Sequence, residues 1–119
     1  MSSRLLRQAC MAAVAILMLV NLYLIFIWTP TESVMGHVQR IFYIHVPMAW
    51  IAFLAFVPVF IGSVLYLLKR DFKWDNLANS AAELGLVFTT LVLITGPIWA
   101  KPVWGIWWTW DARLTTTLI

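Results

Sequence analysis

The chain has 119 residues, of which 63% are hydrophobic and 11% charged. Soluble domains average roughly 45–50% apolar and about 25% charged, so this composition excludes a water-soluble globular domain and points to an all-α integral membrane protein. The net charge of +3 reads as loop topology, because no basic face of the kind a phosphate backbone needs is present. The single cysteine, Cys10, excludes an intrachain disulfide, a Cys-x-x-Cys redox pair and a zinc site.

Arg4 and Arg7 precede an uncharged apolar run that ends in "IFIWTP". A secretory h-region is about 7–15 residues long and ends at small residues. This run is longer and ends at Trp28, so it predicts a first transmembrane helix over about 9–28. Thr29, Pro30 and Glu32 then form a helix-start signature of Thr cap, proline at the first helical position and Glu three residues after the cap. Beyond it Val34, Met35, Val38, Ile41, Phe42 and His45 recur at helical steps. The pattern predicts an amphipathic helix over about 30–45 lying on the membrane surface, with His45 on its apolar face and His37 at its edge.

Pro47 disfavours helix at Val46, so a second span is expected over 47–68, kinked at Pro58. At about 1.5 Å per residue it is long enough for a hydrocarbon core of about 30 Å. The charge cluster "KRDFKWD" separates it from a third span over 77–99, which carries Glu83 and ends at "GPIWAKP". Glu83 lies close to the cytoplasmic interface and is a weak functional candidate. A tryptophan-rich segment over about 99–115 follows, and "DARLTTTLI" reads as the opening of a fourth span. Arg4, Arg7, Lys69, Arg70 and Lys73 mark the cytoplasmic side by the positive-inside rule. His45 and the tryptophan segment then both fall on the outer face.

"WGIWWTWDAR" holds Trp104, Trp107, Trp108 and Trp110 beside Asp111 and Arg113. Interface anchoring accounts for Trp28, Trp50, Trp74 and Trp99, but not for four indoles within seven positions. If the segment is helical, Trp104, Trp107, Trp108 and Asp111 share a face. If it is extended, Trp108 and Trp110 do. Either arrangement offers a flat indole surface suited to a large planar apolar ligand. Asp111 is also placed to cap a helix beginning at Ala112. Arg113 can snorkel to the interface or pair with a ligand carboxylate, and Lys101 and Arg40 are further outer-face cations. A lone His on an apolar face is commonly a packing residue. Neutral imidazole is nonetheless the usual axial ligand of haem iron, and a porphyrin needs an axial nitrogen, a flat apolar bed and cations for its propionates.

"RIFYIHVPMAW" and "ITGPIWAKPVWGIWWTWDARLT" resemble the external-histidine segment and the tryptophan-rich signature of the haem-handling family of CcmC haem-delivery proteins and CcsA-type cytochrome c synthetases. The fit is closest to CcmC and covers Arg40 to Thr115. The resemblance implies a six-helix membrane protein of the bacterial inner membrane, N-terminus cytoplasmic, acting in cytochrome c maturation. Such a protein binds haem b at the outer face and loads it onto the chaperone CcmE, in company with CcmD and the CcmAB transporter subunits. Carried over by position, His45 is an axial ligand of the haem iron, and Trp104, Trp107, Trp108, Trp110 and Asp111 form the haem platform and the chaperone-docking edge. Arg113, Lys101 and Arg40 are the candidate propionate contacts. The family's second external histidine follows its fifth span, so 1–119 is expected to be the N-terminal half, a single membrane domain with half of the haem site. The resemblance implies haem transfer and no catalysis. A CcsA-type synthetase subunit is the alternative, and a purely structural membrane subunit ranks below it. A b-type cytochrome anchor ranks low because no span contains a histidine.

Overall fold

The computed structural model describes residues 3–119 and is all-helical. Helix α1 spans Ser3–Tyr23 and runs on as a π-helical turn over Leu24–Trp28. Helix α2 spans Gln39–Lys69, α3 spans Phe72–Trp104 and the short α4 spans Ala112–Leu118. Three stretches, Ser3–Trp28, Gln39–Lys69 and Phe72–Trp104, are long and apolar enough to cross a membrane. The chain divides into two compact units, Met1–Arg40 and Ile41–Ile119.

In the first unit, the surface helix expected over 30–45 does not form along its first part. Residues 29–38 are turns and bends, with a bridge between Glu32 and Gly36, and helix begins only at Gln39. The capping signature is spent differently. Thr29 turns its hydroxyl back, Oγ1 donating to the Leu24 carbonyl at 2.7 Å, and so closes the preceding π-helical turn. The Glu32 carboxylate accepts from the backbone N–H groups of Val34, at 2.9 Å, and of Met35. These bonds, the Met35 one foremost, hold the Glu32 carboxyl below the usual carboxylate range. Gly36 completes the turn in the left-handed region, with φ of 60°, which a glycine adopts without a Cβ penalty.

Helix α2 then runs through Pro47 and Pro58 without a break, where the sequence places a boundary at Pro47. Each proline removes one intrahelical donor. Apolar surroundings penalise unravelling more than they penalise one missing bond, so spanning helices tolerate it. Likewise α3 passes Pro97 and Pro102 and extends past Trp99 to Trp104. It ends where Gly105 takes φ of 79° and its N–H bonds the Lys101 carbonyl at 2.9 Å, a left-handed cap that glycine favours.

In the second unit α2 and α3 pair antiparallel. Gly62 meets Trp74 and Ala78, Gly85 meets Ala55 and Phe56, and Gly96 meets His45. The interface is built from small residues, with Ala52, Gly62, Ala78, Ala81, Gly85 and Ala100 all buried. Apolar bulk gains nothing against lipid tails, so close backbone approach and van der Waals contact carry the association. The turn joining the two helices places Arg70 at φ of 53°, and the Asp71 carboxylate caps α3 by accepting from the Lys73 N–H at 3.0 Å.

Among the glycines of this interface the tightest position is Gly62. A Cβ there would stand 2.8 Å from the Trp74 carbonyl oxygen and 3.1 Å from the Ala78 Cβ, whereas one at Gly85 would stand 3.4 Å from the Ala55 Cβ. Gly62→Ala is therefore expected to destabilise the hairpin by about 1–3 kcal/mol, the usual cost of overpacking, and Gly85→Ala to cost much less. Thermal unfolding of the two variants in detergent micelles checks this. Equal melting temperatures would contradict the packing described.

Candidate functional site

Helical periodicity sets Phe42, His45, Ala49 and Ala52 on one face of α2, and Leu93, Gly96, Ala100 and Trp104 on one face of α3. These two faces line a common cavity of about 1030 Å³. Its volume sits at the upper end of the roughly 300–1,000 Å³ usual for small-molecule sites. Because the hairpin is antiparallel, His45 near the start of α2 and the tryptophans at the end of α3 lie at the same end. Trp104, Trp107, Trp108 and Arg113 line this cavity together with His45.

The imidazole of His45 is half-buried, and its Nδ1 lies 2.8 Å from Thr95 Oγ1 on α3. Its Nε2 has no hydrogen-bond partner among the described residues. A Cβ on Gly96 would stand 3.3 Å from His45 Cε1, so the absence of a side chain there leaves room for the ring. His37 is exposed, in the turn segment of the first unit. Among the described residues no three of His, Cys, Asp and Glu converge on one point, and none of these types but His45 lines the cavity.

The indoles are arranged edge to face. Trp99 packs on Trp104 with ring centroids 5.2 Å apart and interplanar angle 84°, and on Phe42 at 6.1 Å. Residues 105–111 are not helical, and of the two arrangements open from sequence it is Trp108 and Trp110 that meet, at 5.8 Å and 77°. Trp110 does not line the cavity and is 76% exposed, so it touches the site through Trp108. The indole N–H groups of Trp99 and Trp108 are buried and have no acceptor among the described residues. A buried unpaired donor costs about 1–3 kcal/mol, which an acceptor on a bound ligand would relieve.

Asp111 caps α4, its Oδ1 accepting from the Leu114 N–H at 2.9 Å, and helix begins at Ala112. Its Oδ2 accepts from the Thr109 hydroxyl at 2.6 Å. The Thr109 bond first, and the Leu114 bond after it, hold the Asp111 carboxyl below the usual range, so it stays ionised at neutral pH. Arg113 lies 3.8 Å from Asp111 Oδ2 and stacks over Trp104 at 5.4 Å from the ring centroid. That exposed ion pair is long and worth little, and Arg113 also lines the cavity. Lys101 donates to the Gly105 carbonyl at 2.8 Å and lies 6.0 Å from the Trp107 ring. Arg40, in the first unit, donates to the carbonyls of Phe26 at 2.7 Å and Thr29 at 3.4 Å, which commits it to the end of the π-helical turn. Two contributors escaped the sequence reading. Thr95 has no periodic signal beyond being a polar residue in an apolar run, and interface anchoring alone accounts for Trp99 in the sequence.

The whole chain, residues 1–119, matches the family model described as heme exporter protein C. Among curated relatives, the heme exporter protein C of Rhodobacter capsulatus is 38% identical over 108 residues, covering 91% of this chain and 45% of the relative. That of Escherichia coli (strain K12) is 45% identical over 98 residues, covering 77% of this chain and 38% of the relative. A ccmC-like mitochondrial protein of Marchantia polymorpha is 44% identical over 94 residues, covering 78% of this chain and 41% of the relative. The chain thus spans less than half the length of these curated relatives. A hairpin that gathers one histidine and a tryptophan-rich exit into one cavity, in a sequence matched from its first residue to its last, makes this chain a member of the heme exporter protein C family.

Proposed function

We propose that the cavity between α2 and α3 binds haem b as cargo, at the outer face of the bacterial inner membrane, for delivery to the chaperone CcmE in c-type cytochrome biogenesis. The observation that carries this reading is that His45, with Nε2 unbonded, lines the same cavity as Trp104, Trp107, Trp108 and Arg113. The residues present fit the group. Imidazole supplies an axial nitrogen, the indoles supply flat apolar walls, and Arg113 supplies a planar partner for a carboxylate. The unpaired indole N–H groups of Trp99 and Trp108 supply two further donors. Bound haem would supply an iron for the His45 nitrogen to ligate, and the chain's own task would be to bind, orient and release.

Orientation is supported by charge. Arg4 and Arg7 precede α1, and Lys69, Arg70 and Lys73 cluster at the α2–α3 turn. Basic residues favour the cytoplasmic side, which supports a cytoplasmic N-terminus and a periplasmic His45 end of the hairpin. Trp110 and Asp111 form an exposed edge beside the cavity, suited to docking CcmE. CcmD and the CcmAB subunits enter as partners by family membership. The role is haem transfer, with no covalent chemistry by this chain.

The test is transfer from the chain in lipid nanodiscs, loaded with haem, to purified CcmE. The chaperone is expected to acquire haem faster than it does from free haem at the same concentration. Transfer no faster than from free haem would sink the delivery role.

A further inference from the structure

We propose that Thr95 and Gly96 form a positioning seat on α3 that fixes the tautomer and orientation of His45, presenting Nε2 as its ligating nitrogen. This rests on the haem reading for the identity of the ligand, but not for the state of the ring. The Thr95 hydroxyl has one hydrogen and two lone pairs. Its Oγ1 lies 2.8 Å from the Leu91 carbonyl oxygen, 3.4 Å from that of Val92 and 2.8 Å from His45 Nδ1. A carbonyl can only accept, so the Thr95 hydrogen goes back along its own helix, a common arrangement for threonine in a helix. The bond to His45 must then be supplied from the other side, with Nδ1–H donating to Oγ1. In neutral imidazole that leaves the lone pair on Nε2.

The second half of the seat is Gly96. Its missing Cβ would stand 3.3 Å from His45 Cε1, the ring carbon between the two nitrogens, tighter than an ordinary van der Waals contact. The ring is therefore held at Nδ1 by a hydrogen bond, and the bare Gly96 leaves open the space beside Cε1 that any side chain there would crowd. Thr95 and Gly96 are adjacent, so one turn of α3 supplies both constraints. Metal-bound histidine characteristically donates its other ring N–H to an oxygen acceptor, which fixes ring orientation and raises ligand basicity. Here the acceptor is itself polarised by its donation to Leu91, and such chains strengthen each member. The cavity thus holds a ring set for ligation before any ligand arrives.

The state of the ring is read on the ligand-free protein. Nitrogen chemical shifts of ¹⁵N-histidine-labelled protein in micelles should show His45 protonated at Nδ1 and unprotonated at Nε2 at neutral pH. Thr95→Val should let the two tautomers mix, and Thr95→Ser should keep the wild-type pattern. Haemin titrated into the same three proteins should bind about 10–100-fold more weakly to Thr95→Val, the range for losing an outer-shell partner, and near normally to Thr95→Ser. Gly96→Ala should shift the His45 ring signals with Thr95 intact. A wild-type His45 protonated at Nε2 would overturn the proposal. So would a Thr95→Val protein identical to wild type in both tautomer and haemin affinity. Haemin binding to none of the proteins would overturn the haem reading, and the nitrogen shifts would still decide the seat.

Discussion

His45→Ala is expected to lower haemin affinity by roughly 100-fold or more, beyond the 10–100-fold range for losing an outer-shell partner, and to move the Soret band of whatever haem remains. The expectation rests on the ring being the lone ligand-type side chain on the cavity wall, since no second His, Cys, Asp or Glu joins it among the described residues. Nothing nearby can substitute. Thr95 would be left with its hydroxyl hydrogen still committed to Leu91, and a neutral hydroxyl is a poor ligand for haem iron. His37→Ala is expected to leave the titration unchanged, because His37 sits exposed in the turn of the first unit. Absorbance titration of both variants in micelles checks this. Equal affinity for His45→Ala and the wild type would remove the axial ligand from the account.

Trp108→Ala is the second large effect. Trp108 lines the cavity, packs on Trp110 and buries an indole N–H without an acceptor. Stacking of a flat ligand on an aromatic side chain is worth about 1–3 kcal/mol by alanine substitution in nucleic-acid systems, which is roughly 5- to 150-fold in affinity. Truncation also removes the platform under Trp110, so the flanking edge should loosen. Trp110→Ala, reaching the cavity only through Trp108, should cost less. Trp28→Ala, at the end of the π-helical turn in the first unit, should leave affinity unchanged. Indole fluorescence quenching on haemin addition ranks the variants. A uniform loss across Trp108, Trp110 and Trp28 would favour interface anchoring over a ligand platform.

Much of this arrangement was legible in the sequence for physical reasons. Apolar run length and charge placement identify three spanning helices, since a bilayer sets length and exposed charge sets the ends. The Asp111 cap was legible because a carboxylate before "ARLT" has few better uses than accepting backbone N–H groups. The turn over 29–38 was not. Thr29 and Glu32 satisfy the pattern of a capping box, but a cap acts in whichever direction the chain leaves it, and here Thr29 bonds backward to Leu24. The prolines misled in the same way. Pro47, Pro97 and Pro102 are breakers in water, whereas inside apolar helices their missing bonds cost less than unravelling. Consequently His45 belongs to the long helix α2 and faces α3, and the stripe that matters runs through Phe42, Ala49 and Ala52. Thr95 was invisible to pattern reading because its role depends on a partner fifty positions away, and only the antiparallel register brings the two together.

The cavity's tryptophans alone do not decide between a ligand platform and a membrane anchor. A bond from His45 to haem iron would. The chain has two histidines, so His37→Ala leaves His45 as the sole source of an imidazole nitrogen. Pulsed electron paramagnetic resonance on that variant, labelled with ¹⁵N-histidine and loaded with haemin in nanodiscs, reads the ligand directly. A hyperfine coupling between the ferric iron and a ¹⁵N nucleus is the predicted result. A haem-loaded sample with no such coupling would contradict the assignment of His45 as the axial ligand.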